Sequence, residues 1–197
     1  MKVNRSTPEE RLEPRTHVVI LNGVGSVGKS STARALQTIS AKQFLYVAMD
    51  VFLNMLPARM LDHPEGLTFE TIQDQGKPST IIRTAPVVAS AMRGMRRAIA
   101  AMASQGNNLV VDEVMIGEGR DQEYRALLTG VDVRFVGLFA PLDVLEARER
   151  QRGDRVIGLA RWQYDRVHRN VSYDLEIDTT RTTPLENAQQ ICDAFGL

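Results

Sequence analysis

The chain holds a single cysteine, Cys192, and three histidines, His17, His63 and His168, among 197 residues. One thiol cannot close an intramolecular disulfide, so the fold rests on no covalent staple, and a reducing, cytoplasmic setting fits. These four residues lack the clustered spacing of a zinc site. An excess of charge of either sign is also missing: 24 Lys and Arg balance 24 Asp and Glu. No global field is left to draw in nucleic acid or an anionic membrane. The richest apolar stretch, Pro86–Met102, carries Arg93, Arg96 and Arg97 in its middle, which argues against a spanning helix. Residues 1–15 contain charges and prolines without the apolar centre of a secretion signal, and read as a loose tail. No repeat, low-complexity tract or long linker divides the rest. With 43% hydrophobic residues, residues 16–197 can bury the core of one domain.

What the chain does have is the run Gly23, Val24, Gly25, Ser26, Val27, Gly28, Lys29, Ser30, an unbroken G-x-x-x-x-G-K-S phosphate loop. It lies between the apolar run at 17–21 and a helical pattern from Lys29, the strand–loop–helix context that the motif requires. Gly23, Gly25 and Gly28 are expected to let the backbone take positive φ and approach an anion closely. The helix start, with Ser31 in its first turn, adds unpaired N–H groups and its dipole. Lys29 then reaches the β- and γ-phosphates of a nucleoside triphosphate, and the Ser30 hydroxyl is placed to bind Mg²⁺.

Short apolar runs alternate with helical patterns through the remainder. Strands are expected near 17–22, 44–49, 108–112, 133–139 and 173–177, and helices near 29–40, 84–104, 121–128, 142–151, 158–168 and 184–195. Strands separated by helices make a parallel sheet covered on both faces, so the expected fold is a P-loop NTPase α/β sandwich with five parallel strands. Within 84–104, Met92, Met95, Ile99 and Met102 fall near one helix face and read as core rather than pocket lining. The segment 54–77 has no sustained period and carries Pro57, Pro64, Gly66 and Gly76. It reads as a substrate cap, extending to about residue 80, or as plain connection.

Asp50 closes the second apolar run, where the carboxyl ends of parallel strands face the ligand crevice. It fits a base that orients and deprotonates an incoming hydroxyl, and equally the N-cap of a short helix from Val51. Asp112 ends Leu109-Val-Val111 in the manner of a Walker B magnesium ligand. Glu113 then points to the opposite face or assists in the crevice. Arg148, Arg150, Arg152 and Arg155 crowd together after the fourth strand's helix. Gly153 breaks that helix and favours a lid over 148–170, with Arg152 and Arg155 closing on the phosphates, against the alternative of a solvated helix face. His168 reads as a structural or lid residue, and the embedded Arg-Gly-Asp triplet as coincidence.

The phosphate loop, the strand ending Ala-Met-Asp50, and the tract Arg152-Gly-Asp-Arg-Val-Ile-Gly-Leu-Ala160 with Gln163, Val167-His168, Val171, Tyr173-Asp174, Glu176 and Asp178-Thr179 resemble the chloramphenicol phosphotransferase family. The likeness spans about 17–50 and 106–180. It implies an adenylate-kinase-like three-layer α/β/α fold, ATP with Mg²⁺, and transfer of the γ-phosphate to a hydroxyl of a small, antibiotic-like molecule such as chloramphenicol. By the same resemblance Asp50 matches the catalytic base, and Thr179 and Thr180 lie where adenine is held. The likeness does not extend over 54–77, where acceptor choice is expected. A kinase of another metabolite or nucleotide-sugar, as in zeta-type toxins, and an ATP-dependent switch protein are the other readings.

Overall fold

Strand β1, His17–Asn22, buries Val18, Val19, Ile20 and Leu21 completely. Apolar residues on both faces of a strand require cover on both sides, and the chain supplies it. In the computed structural model, which describes residues 15–153 and 156–197, β1 pairs in parallel with β5 (Asn108–Glu113) and β6 (Asp132–Phe139). Strands β2 (Phe44–Ala48) and β7 (Leu175–Asp178) complete a parallel sheet ordered β2-β5-β1-β6-β7. Val19 and Leu21 enter a core closed by α1 (Lys29–Ile39) and α7 (Pro184–Phe195). Val18 and Ile20 enter a second core closed by α3 (Pro86–Ser104) and α4 (Arg120–Leu127). The period-two alternation of one central strand thus builds the three-layer sandwich. Among the described residues no helix is long and apolar enough to cross a membrane. The expected tail lies almost wholly outside the described residues, as does Arg155.

The methionine stripe on α3 divides between two environments. Met95 and Ile99 are core, Met102 packs at its edge, and Met92 joins a separate cluster with Leu56, Leu67 and Val88. That cluster exists because 54–84 is more than a connection. After the short helix α2 (Met49–Leu53) the chain forms an antiparallel hairpin, β3 (Leu67–Asp74) with β4 (Lys77–Thr84). Asp74 pairs with Lys77, and the two residues between them, Gln75 and Gly76, both have positive φ, 51° and 75°. Positive φ at both positions matches a right-twisted two-residue hairpin turn. The expectation of an unpatterned segment is therefore corrected: the strands are too polar at Thr71, Gln73 and Ser79 to stand out as apolar runs.

The hairpin is bonded to the segment after α5 (Leu142–Arg152). Thr80 donates from N to the Gly158 carbonyl at 2.9 Å and from Oγ1 to the Ile157 carbonyl at 2.7 Å. Gly158 itself opens α6 (Leu159–Tyr164), shorter than the expected 158–168. The buried Glu149 carboxylate accepts from the N–H of Gly158 and of Ala160, both at 2.8 Å, satisfying donors at the start of α6. At Gly158 φ is 93°, and a Cβ there would lie 2.8 Å from the Pro78 carbonyl oxygen. Gly158→Ala is therefore expected to cost about 1–3 kcal/mol for the backbone conformation alone, with the clash added. Denaturant unfolding of the variant measures it.

Candidate active site

The phosphate loop leaves β1 and ends at Gly28, the left-handed N-cap of α1, with φ 105°. Gly28 is the one glycine of the three that takes positive φ; the other left-handed residue of the loop is Ser26, φ 65°. Gly23 is needed for space instead, since a Cβ would meet the Leu138 carbonyl oxygen at 2.7 Å. The expectation of positive φ at Gly23 and Gly25 is corrected accordingly. Val24 and Val27 turn their side chains into the core and anchor the loop, while Gly25, Ser26, Gly28, Lys29, Ser30 and Ser31 line a cavity.

Lys29 is buried, with Nζ donating to the carbonyls of Gly23 at 2.8 Å and Val24 at 3.1 Å, and 3.8 Å from Asp112 Oδ1. Ser30 Oγ donates to Asp112 Oδ2 at 2.6 Å, and Tyr46 from β2 donates to the same oxygen at 3.1 Å. Parallel pairing sets Leu21 beside Asp112 and Ala48 beside Asp112 on the other side, which brings the three strand ends together. Burial and the Asp112 charge push the Tyr46 hydroxyl pKa up, so it stays a donor. Among the described residues no group of three or more His, Cys, Asp or Glu converges as a metal site. The Ser30 hydroxyl and the Asp112 carboxylate that meet here are oxygen donors of the kind that would suit a magnesium ion carrying phosphate oxygens and water.

Asp50 lies in the first turn of α2, whose N-cap is Ala48; no side-chain cap bond is made there. The N-cap alternative is thereby corrected. Asp50 lines the same cavity as the phosphate loop. So does Arg152, the last residue of α5. Arg148, in the same arginine run, donates from its guanidinium to Thr179 Oγ1 at 3.1 Å and to the Thr179 carbonyl at 2.7 Å. Thr179 is buried and donates to the Val27 carbonyl at 2.9 Å, so it braces the phosphate loop through its main chain. Thr180 turns onto Asp178, its N–H 2.8 Å from Oδ1.

Glu113 continues β5 and is buried on the α3–α4 side. Burial pushes its pKa up, opposed by its hydrogen bond from Tyr124 and the Arg96 charge. Arg96 is itself buried, 3.9 Å from Glu113 and 2.9 Å from Glu123 through Nε; the second contact is an ion pair whose angle falls outside hydrogen-bond geometry. The cavity runs on past these groups to an apolar wall of Leu53, Leu67, Phe69, Ile82, Val88 and Met92. Its volume is about 860 Å³, room for a nucleotide's phosphates and a small acceptor together.

A smaller cavity of about 480 Å³ is lined by Phe139, Pro141, Leu145, Tyr164 and His168. His168 stacks on Phe139 with ring centroids 3.9 Å apart and shares a 2.7 Å hydrogen bond with the Tyr173 hydroxyl, which also accepts from Asn22. Burial, with Lys29 nearby, lowers the His168 pKa to about 4. A histidine whose folded pKa lies below its unfolded value binds fewer protons when native. Its contribution to stability is therefore intact above about pH 6.5 and is lost as pH falls from there toward about 4. Thermal unfolding across that window should show the decline, and His168→Gln should flatten it.

Glycine loop, strand-end carboxylate and helix-covered parallel sheet together define a P-loop kinase fold. The chain belongs to the chloramphenicol phosphotransferase-like protein family, whose model matches residues 16–196. A Mycobacterium tuberculosis protein, provisionally named an O-phosphotransferase, is 29% identical over 187 residues, covering 92% of this chain and 83% of that one. Among solved structures, the Mycobacterium tuberculosis APS kinase in complex with AMPPNP and APS superposes with TM-score 0.65 at 18% identity, over 94% of this chain and 100% of that one. The Deinococcus radiodurans tunicamycin resistance protein gives 0.64 at 20% identity, over 93% and 97%. These two likenesses show the fold. Family membership and the curated relative make the chain a phosphotransferase that acts on hydroxyl groups.

Proposed function

We propose that the chain transfers the γ-phosphoryl group of ATP, bound with Mg²⁺, to a hydroxyl of a small molecule with an apolar body, chloramphenicol being one candidate. The observation that carries this reading is the single cavity that holds the phosphate loop and Asp50 at one end and the apolar hairpin wall at the other. The loop N–H groups and the N-terminus of α1 hold the phosphates. Lys29 exchanges its bonds to the Gly23 and Val24 carbonyls for the terminal phosphates, and Ser30 and Asp112 hold the magnesium. The ion, when bound, neutralises phosphate charge and orients the terminal phosphates.

Asp50 accepts the proton of the acceptor hydroxyl, whose oxygen attacks phosphorus in line with the departing ADP. Arg152 supplies positive charge to the migrating group, and Arg148 ties the lid helix to the loop's support at Thr179. The β3–β4 hairpin is the acceptor cap: Leu67, Phe69 and Ile82 exclude water from the acceptor's apolar part. Arg93, on the cavity face of α3, makes no ion pair among the described residues and offers a cation to an electron-rich substituent. A mass-spectrometric screen of hydroxylated compounds, chloramphenicol included, tests the reading. Compounds gaining a phosphoryl mass with the wild-type protein and not with Asp50→Asn support it, and a screen with no such compound counts against the small-molecule acceptor.

A further inference from the structure

One polar group on the cavity wall has no part in the scheme so far. Gln163, on α6, is 6% exposed, and its Oε1 accepts from the Gly25 N–H at 2.7 Å. Because that amide can only donate, the side-chain oxygen must face the loop, and the carboxamide NH₂ must face away from it. The NH₂ has no hydrogen-bond partner among the described residues, yet Gln163 lines the cavity with Gly25 and Ser26. A buried carboxamide with two unused donors is a group arranged for a ligand.

Its position is fixed from both sides. Asn22, the last residue of β1, donates to the Val167 carbonyl at 2.8 Å, and the Val167 N–H donates to the Gln163 carbonyl at 3.0 Å. The strand that launches the phosphate loop therefore also holds the turn that carries Gln163. At Gly25, a Cβ would stand 3.3 Å from Oε1, so the close approach of loop and carboxamide is built on that glycine.

We infer that Gln163 is a further catalytic residue, donating from Nε2 to a non-bridging oxygen of the phosphoryl group in flight. The inference rests on the kinase reading above. In the step, the bond from γ-phosphorus to the ADP oxygen breaks with its electron pair leaving on ADP, the acceptor oxygen bonds to phosphorus, and its proton passes to Asp50. Gln163 makes and breaks no covalent bond; it lowers the energy of charge spread over the equatorial oxygens.

Gln163→Glu separates this role from a tether. The carboxylate still accepts from Gly25, but it replaces the donor with negative charge. The probes are ADP alone and ADP with aluminium fluoride, a planar mimic of the migrating group, each with magnesium and measured by calorimetry. The wild-type protein should bind the mimic more tightly than ADP. Gln163→Glu should lose about tenfold or more of that gain near pH 7.5 while ADP affinity stays within about threefold. As pH falls toward about 4.3, the ordinary glutamate value, the new carboxyl takes up a proton and regains a donor, and part of the gain should return. Gln163→Met, which removes tether and donor together, should weaken ADP as well, and its thermal unfolding reports the tether's share.

An undiminished gain in Gln163→Glu, or equal losses for ADP and the mimic, would make Gln163 a loop tether only and overturn the inference. A wild-type protein that shows neither a gain from aluminium fluoride nor any phosphorylated acceptor would overturn the kinase reading beneath it.

Discussion

Asp50→Asn should lower phosphoryl transfer by about a thousandfold, within the range that a general base contributes, and leave ATP affinity within about threefold. Asparagine has the shape of aspartate and keeps an oxygen that can orient the acceptor, but it cannot take the proton. Asp50 sits in the first turn of α2, where its carboxylate also favours the helix N-terminus by a few tenths of a kcal/mol, too little to unfold the site when the charge is removed. The effect should therefore fall on kcat with a small change in KM for either substrate. Calorimetric ATP binding beside steady-state transfer measures both halves. Turnover near the wild-type value would remove Asp50 from the mechanism.

Arg96→Met should be the most destabilising single change at the site. Arg96 and Glu113 are each buried, and Tyr124 and Glu123 complete the group. Removing the cation leaves Glu113 without its positive neighbour, a loss of about 3–5 kcal/mol for a broken buried pair. For a chain of this size that is a fall of roughly 10 °C or more in Tm. The pH dependence identifies the cause. Glu113 already has a raised folded pKa, so the native state binds more protons than the unfolded one between the unfolded value and the raised one. Its favourable contribution is complete below about pH 4.5 and is lost as pH rises through the folded pKa. Without Arg96 that folded pKa moves further up, so the variant's deficit should be largest near neutrality and shrink on acidification. Adding Glu113→Gln, which removes the charge and keeps an acceptor for Tyr124, should restore much of the loss at neutral pH.

The parts of this molecule that were legible in the sequence are those written in contiguous residues. Gly23–Ser30 spells its own loop, and the run Leu109-Val-Val-Asp112 announces both a buried strand and its terminal carboxylate. All five sheet strands are found within about two residues of their expected places. The hairpin was hidden because its alternation is weak and its turn is Gln75-Gly76 rather than a strong asparagine or aspartate signal. The two-residue spacing between Asp74 and Lys77, with a glycine second, was the cue available. Other residues became visible only through contacts between distant positions. Gln163 meets Gly25 across 138 positions and Tyr46 meets Asp112 across 66. Arg148 stood in the sequence only as one of a run of arginines; its bonds to Thr179, 31 positions away, are visible only in the fold.

The clasp between Thr80 and Gly158 links the β3–β4 hairpin to the start of α6. Phe69 and Ile82 line the cavity from the hairpin whose second strand holds the start of α6, and Gln163 stands on that helix. Hairpin, α6 and phosphate loop are thereby connected through hydrogen bonds around one cavity.

The central claim is that phosphorus passes from ATP to a hydroxyl. The direct measurement uses ATP labelled with heavy oxygen at the γ-phosphoryl group, incubated with the protein and a pool of hydroxylated small molecules. A phosphorylated compound that retains all the non-bridging label, formed by the wild-type protein and absent with Asp50→Asn, is the predicted result. Label recovered only in inorganic phosphate, with no phosphorylated compound, would contradict it and mark a nucleotide-hydrolysing switch instead.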